Sequence, residues 1–441
     1  MRGALRRLLA RVGLGSRPLF GWALYDWANS AFFTLIVAAV YPVFFERYAA
    51  AGEAKGVAMS RHAAASFLAL AIVAILSPLL GAAADSLGAK KRLLAVFLAL
   101  GALPTAGLAF VGPGDWALAS ALFVVANIGV LGSLVFYDAL LPHLVPREGL
   151  DRVSSAGYAL GYLGGGIALL GALLVIADPG RFGLADPYAA MRWSFLGVAL
   201  WWVGFSLPLF RWVPEPPAAG PRVPLRALPA TAVRRLGGTM RHLRRYRQAL
   251  LLLMAVAVYS DGIGTIIRMA ALYGAELGLS EGTLIGTVLA IQFVGVPCAF
   301  LFGWLGSRIG TKRAILVGLV IYVGISIYGY FVHTAVQFVT LGMMVALVQG
   351  GTQALSRSLF ASFVPTSRSA EFFGFFSVFE KFAGVLGPAL VVGVVGMTGS
   401  SRNAILGVAL FFVVGGALLL RVDVAEGQAA AREPSAEPDA L

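Results

Sequence analysis

The chain has 441 residues, 59% hydrophobic and only 12% charged, with a mean hydropathy of +0.84. A soluble domain carries about a quarter charged residues and its core stops growing at roughly 250–300 residues, so lipid must solvate most of these side chains. One cysteine, Cys298, four scattered histidines and no G-x-x-x-x-G-K-S/T segment exclude a disulfide framework, offer no metal-ligand spacing and leave no ATPase motif.

Crossing a bilayer takes about 20 apolar residues. Twelve windows of that length occur, near 20–45, 63–84, 93–111, 116–141, 153–177, 192–212, 249–273, 283–304, 314–332, 336–361, 371–396 and 403–421. The first contains Asp26 and Asn29 and is too long for the apolar core of a cleaved signal peptide. It is read as a span. The fourth and tenth windows carry polar residues and are the least regular of the twelve. On the eleventh, Gly384, Gly387 and Pro388 are expected to permit bending.

Between the sixth and seventh windows lies the one sizeable hydrophilic segment, Pro-rich at Pro214–Pro224 and basic from Arg234 to Arg247. A loop held near anionic lipid accounts for it; a regulatory binding helix is the alternative. The expected organisation is a basic N-terminus (1–19), a six-helix bundle (20–212), this loop (213–248), a second bundle (249–421) and a disordered tail (422–441).

Lysine and arginine fix orientation. With the N-terminus inside, 25 of the 34 basic residues fall in inside segments, six fall outside, and Arg268, Arg357 and Lys381 lie within spans. Both termini are therefore expected in the cytoplasm. The net charge of +13 follows from this one-sided distribution and does not point to nucleic acid.

The two halves repeat each other. Gly81-Ala-Ala-Ala-Asp85-Ser-Leu-Gly88-Ala-Lys90-Lys91-Arg92 follows the second span, and Gly303-Trp-Leu-Gly-Ser307-Arg-Ile-Gly310-Thr-Lys312-Arg313 follows the eighth. Asp138 and Arg357 each lie eight residues before a proline, Pro146 and Pro365. Tyr25-Asp26 in the first span matches Tyr259-Ser260-Asp261 in the seventh. Six spans per half give both copies one orientation, related by an axis along the membrane normal.

The Gly81–Arg92 segment resembles the G-x-x-x-D-x-x-G-x-R/K-R/K signature of the major facilitator superfamily. Further segments narrow the resemblance: Tyr25–Phe32, Ser155–Gly165, Tyr259–Thr265, Gly350–Ser358 and Glu371–Gly374. Together they look like the family of yeast vacuolar amino-acid effluxers and their bacterial relatives, over roughly residues 21–421. The resemblance implies an all-α fold of 12 transmembrane helices in two six-helix pseudo-symmetric bundles. It implies amino-acid export for the yeast branch and leaves the solute of bacterial members unassigned.

Charges inside a bilayer cost about 2.5–3.5 kcal/mol each at a helix centre on insertion scales, so those present should face protein or water. Helical spacing places Asp26 and Asn29 on one face of the first span and Asp261 with Arg268 on one face of the seventh. Glu380 and Lys381 fall near mid-bilayer, and Gln353 lies on a polar stripe of the tenth span. These seven are the candidate solute or proton-coupling residues; the alternative is that the charges pair internally and only fix packing. Gly81, Asp85, Gly88, Lys90, Lys91, Asp138 and Arg357 are the candidate cytoplasmic gate, with plain positive-inside anchoring as the alternative for the lysines. Gly157, Gly161, Gly164, Gly165 and Gly166 are expected to serve close helix packing.

The expectation is a monomeric secondary carrier in a bacterial plasma membrane. It would move a small polar solute, amino acids included, with a proton as candidate coupling ion and lipids as neighbours. No cofactor, metal, catalytic residue or nucleic-acid partner is expected. An efflux carrier for another small metabolite or drug is the alternative, and a membrane-embedded lipid-processing enzyme a more distant one.

Overall fold

The computed structural model describes residues 7, 9–53, 55–218, 246–382, 384, 386–398 and 400–432; the side chains of Lys55, Ala271, Leu272, Ala275, Glu281, Lys381 and Phe382 fall outside that description. Most of the basic loop, the first residues and residues 433–441 therefore also lie outside the described set.

The apolar windows become helices, because a backbone in lipid must satisfy its own hydrogen bonds. In the first half these are α1 (Arg17–Ala49), α2 (Lys55–Leu87), α3 (Lys90–Gly107), α4 (Trp116–Leu144), α5 (Leu150–Ala177) and α6 (Pro187–Trp212). The second half holds α7 (Arg247–Glu276), α8 (Glu281–Ile309), α9 (Thr311–Tyr330), α10 (Ala335–Ser362), α11 (Ser369–Phe382), α12 (Leu386–Thr398) and α13 (Ser401–Leu420). Among the described residues eleven helices are long and apolar enough to cross a membrane, and α11 with α12 forms the remaining span in two pieces. The polar fourth and tenth windows are unbroken helices of 29 and 28 residues.

Starts and stops follow local chemistry. Ser16 caps α1 and Thr334 closes a reciprocal capping box with Gln337 on α10. Gly88 and Gly310, at φ +57° and +91°, make the two equivalent turns between α2 and α3 and between α8 and α9. Within α1 the backbone widens to π-type turns at Phe32–Ala39 and Phe45–Ala49, the kind of irregularity that collects at functional positions.

Large apolar side chains remain on the perimeter, among them Phe67, Leu103, Phe110, Val320, Val336 and Met397, as lipid-facing surfaces require. Inside, α1 packs on α5 and α6, α3 on α4 and α6, α7 and α9 on α13, and α8 on α10. The halves meet chiefly along α2 against α11 and α5 against α8, two pairs that exchange under the internal repeat. Glycines make both close. A side chain at Gly81 would strike the Ala370 carbonyl, one at Gly374 the Ser77 carbonyl, and one at Gly303 would strike Ser155. The α5 glycines serve the same end: Gly157, Gly161, Gly164 and Gly165 lie against Asp26, Ser30, Trp27 and Thr34 of α1, and Gly166 against Gln292 of α8.

The tail departs from expectation. Residues 424–430, expected to be disordered, form a short helix, α14 (Val424–Ala430). Asp423 caps it, Gly427 seats on the Phe363 ring, and Arg147 donates to the Gln428 carbonyl. An Ala- and Glu-rich stretch is a good helix former, and these contacts supply what composition alone does not show.

Candidate transport site

Among the described residues four polar clusters lie inside the bundle, and the first joins the two halves. Arg357, on α10, reaches across to Asp26 of α1 and Asp138 of α4, with Nη–Oδ distances of 3.1 Å to each. Its Nε donates to Ser154 Oγ at 2.9 Å and its Nη2 to the Ser154 carbonyl at 3.0 Å. Three rings surround the guanidinium: Tyr158 at 4.6 Å, Trp22 at 4.9 Å and Tyr137 at 5.5 Å. Trp22 is itself fixed, stacked on Tyr137 and donating from Nε1 to the Tyr137 carbonyl. The Arg357 side chain is 4% exposed. Asp26, expected among solute contacts, and Asp138 and Arg357, expected in the gate, thus form one structure. Glu380 lies within electrostatic reach of Asp138, Tyr158 and Tyr259.

The second cluster sits at the basic end of the bundle, where α2 turns into α3. Asp85 pairs with Lys90 at 2.6 Å, both side chains 1% exposed. Its carboxylate also accepts the Ala370 and Glu371 backbone N–H groups at 3.2 and 2.9 Å. These belong to the first turn of α11, whose N–H groups lack intrahelical partners and whose dipole favours an anion. Lys91 takes a different task within the first half. Its Nζ donates to the Phe210 and Val213 carbonyls at the end of α6, while its backbone N–H donates to Glu215. Gly88 packs beside Ala218. Gly81 and Lys90 therefore stand with Asp85 at the cross-half contact; Lys91 does not.

The third cluster contains no residue anticipated as functional. Asp151, in the first turn of α5, accepts hydrogen bonds from Ser358 of α10 and from Thr311 Oγ1 of α9 at 2.7 Å. Ser154, one turn on, donates to the Ala354 carbonyl at 2.7 Å. His143 approaches Ser369 at 3.1 Å. Asp151 sits just after a Pro-Arg-Glu-Gly turn and in sequence has the signature of an ordinary helix-start acid, with no sign of its cross-half role.

The fourth cluster is confined to the second half. Asp261 accepts the Gly387 N–H of α12 at 2.8 Å and lies 3.4 Å from Arg268 Nη2, which also donates to Thr265 Oγ1 at 3.2 Å. The Asp261 side chain is fully buried, whereas that of Arg268 is 48% exposed. Gly387 touches Thr265 and Asp261 and has no room for a side chain. The break in the eleventh span is thus anchored to α7.

The remaining expected residues differ in role. Asn29 is buried and donates back to the Tyr25 carbonyl of its own helix. Gln353 and Glu380 are partly exposed, and the Lys381 side chain lies outside the described residues. Tyr25 bonds Ser133 of α4 and Tyr259 bonds Ser356 of α10, so the repeated tyrosines make equivalent contacts. Gln292 of α8 donates to Thr34 of α1 at 2.7 Å, a further cross-half bond farther from the basic end.

Two pseudo-symmetric six-helix bundles that enclose polar clusters and close on each other through glycine contacts define a major facilitator superfamily transporter. Solved structures share this fold. The human organic anion transporter MFSD10 has a TM-score of 0.68 at 16% identity, covering 94% of this chain and 99% of that one. A double-tryptophan mutant of XylE has a TM-score of 0.72 at 13% identity, covering 97% and 99%. Residues 58–432 match the family described as vacuole effluxer Atg22 like, and the chain belongs to that family. It is 37% identical over 402 residues to the MFS-type transporter YxiO of Bacillus subtilis (strain 168), covering 89% of this chain and 92% of the relative. It is 25% identical to autophagy-related protein 22 of Yarrowia lipolytica, covering 81% and 74%.

Proposed function

We propose that the protein is a secondary carrier moving a small polar solute, amino acids included, by alternating access, with its basic end facing the cytoplasm of a bacterial cell. The halves would be the units that rock, residues 20–212 against 249–421. The observation that carries this reading is the unequal closure along the bundle axis. Asp85, Asp151 and Arg357 all bond across the halves toward the basic end. Ser30, Gln353, Glu380 and Arg268 keep exposure within the spans. Cross-half bonds concentrated toward one end of a polar interior are what a carrier closed at that end would have. The 25-to-6 distribution of basic residues supports placing the sealed end inside.

Two carboxylates face the single Arg357 guanidinium. When the basic end opens and that cation withdraws, a proton can replace it on one of them, which gives coupling a place to act. Asp261, Arg268, Glu380 and Lys381 would supply both signs of charge for a zwitterionic solute. The test is flux into proteoliposomes carrying Asp261→Asn or Lys381→Ala. Both are expected to abolish transport while eluting as folded monomers, and wild-type flux in both would refute the assignment.

A further inference from the structure

Among the described residues, the side chains that bond or stack on Arg357 come from the opposite half. Trp22 and Asp26 come from α1, Tyr137 and Asp138 from α4, and Ser154 and Tyr158 from α5. The second half inserts the guanidinium from α10, and Glu380 of α11 lies within electrostatic reach of Asp138 and Tyr158. The pocket offers that group two carboxylate oxygens at 3.1 Å, a hydroxyl at 2.9 Å, a backbone carbonyl at 3.0 Å and three ring faces within 5.5 Å. Ring faces attract organic cations through their quadrupoles, and a carboxylate pair matches the fork of a guanidinium. A side chain at Gly157 would press on Asp26 and Arg357 alike, so the backbone there is shaped around the occupant.

Resting on the alternating-access reading above, opening of the basic end carries α10 away with the second half and withdraws Arg357. The first half then keeps two carboxylates and three aromatic faces around a vacated cation position. We infer that this pocket is a solute subsite, and that the solute carries a guanidinium or primary ammonium group that takes Arg357's place. Arg357 is a tethered competitor: its return, as the halves close, displaces the solute's cationic group. The solute's charge and the gate are thereby read by the same six residues.

The experiment separates the pocket from the flux. Full-length Arg357→Ala, with Arg357→Gln as a second variant should the first not fold, is purified and melted with methylguanidinium or with its neutral isostere methylurea. Methylguanidinium should give a saturable rise in Tm and methylurea none, and adding Asp26→Asn should erase the rise. Equal responses to the two compounds would overturn the pocket. In wild-type proteoliposomes, labelled arginine should be taken up and competed by agmatine but not by citrulline. Uptake of neutral solutes that agmatine leaves untouched would overturn the solute class while the carrier reading stands. Absence of all flux, with the methylguanidinium effect intact, would fail the carrier reading and spare the pocket.

Discussion

Replacing Gly81 with alanine tests whether closure of the basic end depends on backbone contact between α2 and α11. The added Cβ would meet the Ala370 carbonyl oxygen and carbon and the Glu371 Cα, all main-chain atoms that cannot swing aside. Normal separations of roughly 3.5–4.0 Å require the helices to part by about 1.5 Å at this point. Overpacking of this kind costs about 1–3 kcal/mol, and only the conformation in which the helices touch bears it. The equilibrium should therefore shift toward the state open at the basic end by roughly 5- to 150-fold. Parting the helices also weakens the bonds from Ala370 and Glu371 to Asp85. Spin labels at exposed Arg92 and Ser367, in a background with Cys298 replaced by serine, would report the distance by pulsed EPR. Gly81→Ala should add a longer-distance population, and Gly374→Ala, which would strike the Ser77 carbonyl, should do the same. An unchanged distribution in both would refute the argument that these glycines permit closure.

Asp85→Asn and Asp151→Asn should each weaken closure of the basic end, because each removes the charge that the opposite half's donors address. The two sites share no partner, so their effects on the EPR populations should add in the double mutant; a double mutant no different from either single would refute two separate latches. Lys91→Ala and Lys312→Ala should lower Tm through loss of about 0.3–1 kcal/mol of helix C-terminal charge interaction. Their transport rate per folded molecule should stay near wild type, and a selective loss of rate would show that they gate as well.

Much of this arrangement was legible in the sequence. Hydropathy located the spans, and the matching offsets to Pro146 and Pro365 marked Asp138 and Arg357 as equivalent positions. What offsets do not reveal is that the two side chains meet, since that depends on how α4 and α10 approach across the repeat axis. Asp26 was placed on a polar stripe of α1, but its partner lies 331 residues away. Ser154 and Tyr158 were hidden for the same reason, each reading as a neutral neighbour of a glycine stripe. Lys90 and Lys91 are indistinguishable by charge, yet adjacent helical residues point about 100° apart at 3.6 residues per turn. One therefore meets Asp85 and the other the end of α6.

The mismatch of Asp85 with Ser307 in the repeat acquires a physical meaning from these contacts. In the first half a carboxylate in the last turn of α2, Asp85, caps the start of α11 in the other half. Symmetry would ask residue 307 to cap the start of α5, but Ser307 is exposed and donates to the Trp304 carbonyl of its own helix. The carboxylate appears instead on the α5 side, as Asp151, and the donor on the loop side, as Thr311 one residue beyond Gly310. Acid and donor have changed places across the same interface. The basic residues follow: with no equivalent acid to hold it, Lys312 reaches the Leu420 and Val422 carbonyls at the end of α13. That is the task its neighbour-equivalent Lys91 performs for α6, since Lys90 is held by Asp85. The latch of α5 to α9 and α10 is consequently made of hydroxyl-to-carboxylate bonds, whereas the α2–α11 latch joins a carboxylate to a helix terminus backed by a buried lysine. Opening the hydroxyl latch returns the buried Asp151 carboxylate to water and forfeits no helix-dipole attraction, which makes the α5 contact with α9 and α10 the one expected to yield first as the basic end parts.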